Sequence, residues 1–179
     1  MNRRTFRILT AGLSAAALAG LAACGSDTGS DRPAGDPTAK VAANARAYMT
    51  AWMASRPSDG KAMCELQTKA ARPNFDEDGG TLDGCIKQRA QDSESGASDD
   101  TSGKLTIKIS AVQDVPASDA HPAGKGALAS MSRPGKDPFR YALRLVKEDD
   151  QWLVEQITDV GEQFAHTADP VAPVLAQQS

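Results

Sequence analysis

Aromatic side chains are scarce in this 179-residue chain, 4% of the total with two tryptophans and two tyrosines. That is too few for a surface on which successive bases stack. Histidine is scarcer still: His121 lies in a Pro-Ala-Gly loop and His166 near the C-terminal end. Each reads as a surface residue rather than a general base. Gly-x-Ser-x-Gly, His-Glu-x-x-His, a phosphate loop and zinc-ligand spacing are all missing, so no motif implies a catalytic residue, a metal or a cofactor. Asp76-Glu77-Asp78 is acidic but lacks the alternating ligands and distal Glu of a calcium loop, and reads as a solvated turn. Beyond the first 23 residues acids outnumber bases, and that acidic balance argues against nucleic acid or anionic headgroups as partners, which need clustered Lys and Arg. Long apolar runs are missing too, with one exception. The stretch from Ile8 to Ala23 is 16 residues, rich in Ala and Gly, and shorter than the roughly 20 needed to span a hydrocarbon core.

That stretch follows Arg3, Arg4 and Arg7, with no acid among the first 23 residues. A basic start, an apolar middle and small residues before a cysteine are the parts of an export signal. Leu21-Ala22-Ala23-Cys24 resembles the lipobox of bacterial lipoproteins at every position. The resemblance covers residues 1 to 24 and implies that residues 1–23 are removed. It also implies that Cys24 carries a diacylglyceryl group through a thioether, placing the chain on the extracytoplasmic face of a membrane. Arg3-Arg4-Thr5-Phe6 resembles the twin-arginine export motif, with Arg7 where that motif prefers Leu, so the export route stays open. Without the leader's three arginines, 17 basic residues face 23 acidic ones, a net charge of −6.

Residues 24–36 then form a tether: Gly25 to Asp36 holds Gly, Ser, Asp and Pro and nothing able to join a core. Asp36-Pro37 opens structure, the Asp as N-cap and the Pro at the first helical position. Val41, Ala45, Tyr48, Met49, Trp52 and Met53 share one helical face and predict a helix over 37–55, ended by Arg56-Pro57. Tyr48 and Trp52, with Tyr141 further on, are candidate cavity-lining residues, although such a stripe is also what plain core looks like. Ser58-Asp59-Gly60 leads to a second helix over 61–71, and Thr81 caps a third over about 82–90.

With Cys24 taken as the lipid carrier, Cys64 and Cys85 remain, and an even count in an exported protein makes a disulfide the economical reading. A redox or nucleophilic pair would want Cys-x-x-Cys or a nearby His, and neither is present.

After a polar run from Gln91 to Gly103 the period changes to two. Leu105, Ile107 and Ile109 mark a strand, 114–126 a loop, 126–132 a weak strand, and Phe139, Tyr141, Leu143 and Leu145 a third. A final strand runs over 151–158 after a hairpin loop at 148–150, and the segment from Ala165, with Pro170 and Pro173, reads as a loose tail. Arg140 and Arg144 alternate with the apolar residues and read as a polar strand face. Helices first and antiparallel strands after predict a single α+β domain over 37–164, its N-terminal helices packed on a curved antiparallel sheet. Tyr48-x-x-x-Trp52 and Leu143-x-Leu145-x-Lys147-x-x-x-Gln151-x-Leu153-Val154 resemble the cystatin-like, nuclear-transport-factor-like cone fold, as found in small actinobacterial lipoproteins.

The cone resemblance supports fold more than function. Cyclases and isomerases of that fold hold an Asp base and a Tyr or protonated Asp inside the cone. Here Asp114 and Asp159 stand at strand ends without a second partner. The expected function is therefore a membrane-anchored module that binds a small ligand or an envelope protein. The alternative is a cyclase or isomerase with an unrecognised acid–base site.

Overall fold

The computed structural model describes residues 35–53, 57–72, 80–95, 105–135 and 137–177. Helix α1, Pro37–Met53, starts as its sequence dictates: the Asp36 carboxylate accepts from the Thr38 amide at 2.9 Å. Val41, Ala45, Tyr48 and Met49 are fully buried, which confirms the apolar stripe. Helix α2 is Pro57–Glu65, earlier at both ends than the periodicity suggested. Pro57 takes the first helical position, where a missing amide costs nothing. Beyond Glu65 the backbone leaves the helix because a strand captures it. The Val154 amide donates to the Leu66 carbonyl at 2.7 Å and the Thr68 amide to the Val154 carbonyl at 3.0 Å. Helix α3, Leu82–Ser95, is capped by Thr81, whose hydroxyl accepts from the Gly84 amide at 3.0 Å. It runs past Ala90 because no Gly or Pro interrupts the chain before Gly96, and extending a helix is cheaper than starting one.

Four strands form one antiparallel sheet in sequential order: β1 Thr106–Val115, β2 Gly124–Ser132, β3 Phe139–Glu148 and β4 Gln151–Asp159. The architecture is the expected α+β arrangement. Helices α1–α3 pack on one sheet face, where Ala127, Ala129, Met131, Leu143, Leu145 and Val154 meet the α1 stripe. Burying each larger aliphatic or aromatic side chain there stabilises by about 1.5–3 kcal/mol.

Two bulges shape the sheet. In β1 the register shifts between Ser110 and Gln113, and Ala111 sits at φ 51°. The shift lets Ile107, Ile109 and Val112 face the helices while Val115 joins the opposite face. In β4 Val154 and Ile157 both face the helices although three positions apart, because Glu155 is the extra residue between the Leu145 and Arg144 partners. The β3–β4 connection is a two-residue turn, Asp149 (φ 44°) and Asp150 (φ 65°), a conformation that Asp tolerates and that matches strand twist.

The segment after Ala165, expected to be a loose tail, forms helix α4, Val171–Ala176, on the other sheet face. Val171, Val174 and Leu175 are buried beside Val115, Ala142 and Val160. The prolines that suggested looseness are compatible with the helix: Pro170 is the N-cap and Pro173 lies in the first turn, where amides have no intrahelical acceptor. Gly126 makes the close approach possible, since a Cβ there would stand 2.5 Å from Val171 Cγ1.

Candidate functional site

The most polar interior position of the fold is created by the β4 bulge. Glu155 is 6% exposed, and its two carboxylate oxygens are separately engaged. One accepts a hydrogen bond from the Thr68 hydroxyl. The other lies 3.2 Å from His121 Nδ1. Arg144, on β3 and 2% exposed, donates through Nε to Gln156 Oε1 at 3.1 Å. Its Nη1 reaches the Pro116 and Pro122 carbonyls at 2.6 and 2.9 Å. Both ends of the 116–123 connection are thereby tied to β3, and His121 near its end is tied to β4. Burial pulls the Arg144 guanidinium below its ordinary value, and the Glu155 carboxylate opposes that. The two side chains do not touch: Arg144 is satisfied by Gln156 and two loop carbonyls and Glu155 by Thr68 and His121, so each is compensated by its own hydrogen bonds.

His121 is therefore not a plain surface residue: its side chain is 20% exposed and partnered. An ionised carboxylate only accepts, so toward it Nδ1 is the donor and Glu155 fixes the plane of the ring. Such orientation by a carboxylate is what a general base needs. Among the described residues, however, no hydroxyl or thiol is hydrogen-bonded to that ring, and the Thr68 hydroxyl is committed to Glu155 while accepting from the Ala71 amide at 3.0 Å. The arrangement as built is a clamp on the connecting loop.

Beside that loop lies an open groove of about 580 Å³, lined by Asp114, Val115, Pro116, Ala123, Gly124 and Trp152. Asp114 does have a partner, Lys125 Nζ at 2.7 Å, which the sequence reading did not foresee. Asp159 and His166 are exposed.

Of the candidate cavity residues, Tyr48 is 0% exposed, so it fills the core and lines no water-sized space. Its hydroxyl accepts from Gln67 Nε2 at 3.4 Å. Burial pushes its pKa up to about 12, against the pull of the Arg89 guanidinium and the Gln67 hydrogen bond. Trp52 and Tyr141 meet edge to face, with ring centres 5.0 Å apart, at the end of the helix–sheet interface where Phe139 is 50% exposed. Burial, and then the Asp159 carboxylate, raise the Tyr141 pKa. Cys64 and Cys85 form a disulfide joining α2 to α3, with Cα atoms 6.0 Å apart. Cys24 and the acidic run Asp76-Glu77-Asp78 lie outside the described residues.

Sequence reasoning missed Arg144, Glu155, Gln156 and Thr68. The available signal was a charge set within an apolar strand, Leu-Arg-Leu-Val in β3 and Leu-Val-Glu-Gln-Ile in β4. An Arg that alternates with leucines suits a solvent-facing strand position, but here the loop and α4 cover that face. Among the described residues no group of three or more His, Cys, Asp or Glu is placed to hold a metal. No family model, curated protein or solved structure matches the chain.

Proposed function

We propose that the chain is an exported lipoprotein, held to the extracytoplasmic face of a cell membrane by a diacylglyceryl group on Cys24. Its folded domain binds a small ligand or an envelope protein. The observation that carries the binding reading is the filled interior. Tyr48, Met49, Leu143 and Leu145 have no exposed surface, so the space where a cone-type cyclase or isomerase holds its base and substrate is occupied by side chains. Binding then falls to the surface, where the groove at Trp152 has a volume within the range of small-molecule clefts. The Cys64–Cys85 disulfide supports an oxidising compartment. Leu21-Ala22-Ala23-Cys24 supports the anchor, and two acyl chains suffice for stable membrane attachment without an amphipathic helix.

Metabolic labelling with a tagged fatty acid tests the anchor. The full chain expressed in a bacterium should take up label and lose its leader, and Cys24→Ala should do neither; label on the variant sinks the reading. Titration with anilinonaphthalene sulfonate, an apolar anionic dye, tests the groove. Trp152→Ala should weaken dye binding about tenfold or more, and unchanged binding removes the groove from the proposal.

A further inference from the structure

Among the residues that line the groove at Trp152, Asp114 is the one that carries a charge. Two ion pairs stand beside that groove, and both are built the same way round. Lys125 Nζ lies 2.7 Å from Asp114 Oδ1, with the lysine side chain 24% exposed and the aspartate 86%. Lys147, directly across the strand pair from Trp152, holds Asp150 Oδ1 at 2.7 Å, with exposures of 54% and 93%. In each pair the ammonium is the inner partner and the carboxylate the outer one. A carboxylate has two oxygens and about four acceptor sites, so a single lysine contact leaves it able to take a second cation. An incoming anion would meet those outer carboxylates before it met either ammonium group.

The surrounding charge has the same sign. Asp114, Asp119, Glu148, Asp149 and Asp150 lie on the segments that border the groove, against Lys125 and Lys147. Lys40 on α1, close enough to Asp150 to act on its charge, is a third base. Five acids against three bases leave a balance of −2, which draws cations toward the groove. Trp152 supplies the matching apolar surface, because an indole face attracts a cation through its ring quadrupole, more strongly than Tyr or Phe does. We infer that the groove takes a small organic cation, a substituted ammonium group carried on an apolar body, with its charge against Asp114 and its body against Trp152 and Val115. That ligand class rests on the groove being the binding surface, as proposed above.

The test uses the full chain at low salt and two probes that carry opposite charges on the same ring, benzyltrimethylammonium and phenylacetate. Binding is followed by the indole N–H resonance of Trp152, identified by its loss in Trp152→Phe. The cation should bind about tenfold or more tighter than the anion. Asp114→Asn combined with Lys125→Met removes one charge of each sign and so keeps the net charge of the chain; there the two probes should bind within about twofold of each other. Phenylacetate binding as tightly as the cation to the unmodified chain overturns the inference, as does a preference that survives in the double variant or a cation that leaves the Trp152 resonance unmoved. If the double variant does not fold, Asp114→Asn alone decides, since that side chain is 86% exposed. It should weaken the cation about fivefold or more, and unchanged affinity overturns the inference. The dye titration of Trp152→Ala separates the two levels. Dye binding that depends on Trp152, without a preference for the cation, removes only the ligand class, whereas dye binding indifferent to Trp152 removes the groove itself.

Discussion

Tyr48 has its hydroxyl inside the core, where ionisation would put a negative charge among Met49, Leu143 and the disulfide. Its folded-state pKa of about 12 stands above the ordinary value of 10.0. The unfolded chain therefore releases this proton first as pH rises, so stability from this group is intact below pH 10 and is lost between about pH 10 and 12. Roughly two units correspond to about 2–3 kcal/mol. Urea unfolding should show that Tyr48→Phe costs about 1 kcal/mol at pH 7, the usual worth of one hydrogen bond. The cost should shrink and reverse toward pH 11.5, and a constant difference would contradict the assignment. Arg144 calls for a different argument, because removing it leaves buried acceptors without a donor: Gln156 Oε1 and the Pro116 and Pro122 carbonyls. Arg144→Met should cost about 1–3 kcal/mol or more. A loss well under 1 kcal/mol in chemical denaturation would show that water reaches those acceptors. That role was not legible from residue type: an Arg alternating with leucines suits a solvent-facing strand position equally well until something covers that face.

At the scale of elements, the sequence was read best where a local signal was also the physical cause. Asp36-Pro37 starts α1 and Thr81 starts α3 because capping is a contact between near neighbours. The two-residue β3–β4 turn at Asp149-Asp150 likewise lies within the loop read at 148–150. Local signals were overridden where a distant segment competed. Leu66 to Thr68 would continue a helix by periodicity, yet the edge of β4 offers backbone hydrogen bonds that satisfy them instead. Val171, Val174 and Leu175 form too short a run to declare a helix without the seat that orders them. The disulfide binds α2 to α3 across a sequence separation of 21 residues. Cys64→Ser with Cys85→Ser should lower unfolding free energy by about 3 kcal/mol in the chain-entropy account. A loss well under 1 kcal/mol would mean that helix packing already confines the two segments.

For the molecule as a whole, among the described residues one face of the sheet carries α1–α3 and the other carries α4 and the clamped loop. If Cys24 is the anchor, the domain's fold is independent of it. Cys24→Ala should accumulate as the unlipidated precursor with its leader attached, while its far-UV circular dichroism stays that of a folded domain. A chain of mature length without lipid would show that cleavage does not depend on Cys24. The sequence by itself determined the α+β class, the order of α1–α3 and β1–β4 and the capped starts of α1 and α3, and it made the Cys64–Cys85 pairing the economical one. Each of these rests on neighbouring residues, on periodicity or on a count. Only the tertiary structure decided that Arg144 is interior, that Glu155 and His121 meet, that Tyr48 fills the core and that the last helix is seated. Those outcomes depend on two bulges and on the path of a connecting loop. Such features bring residues 34 positions apart, as His121 and Glu155 are, into contact without leaving a periodic trace in the chain.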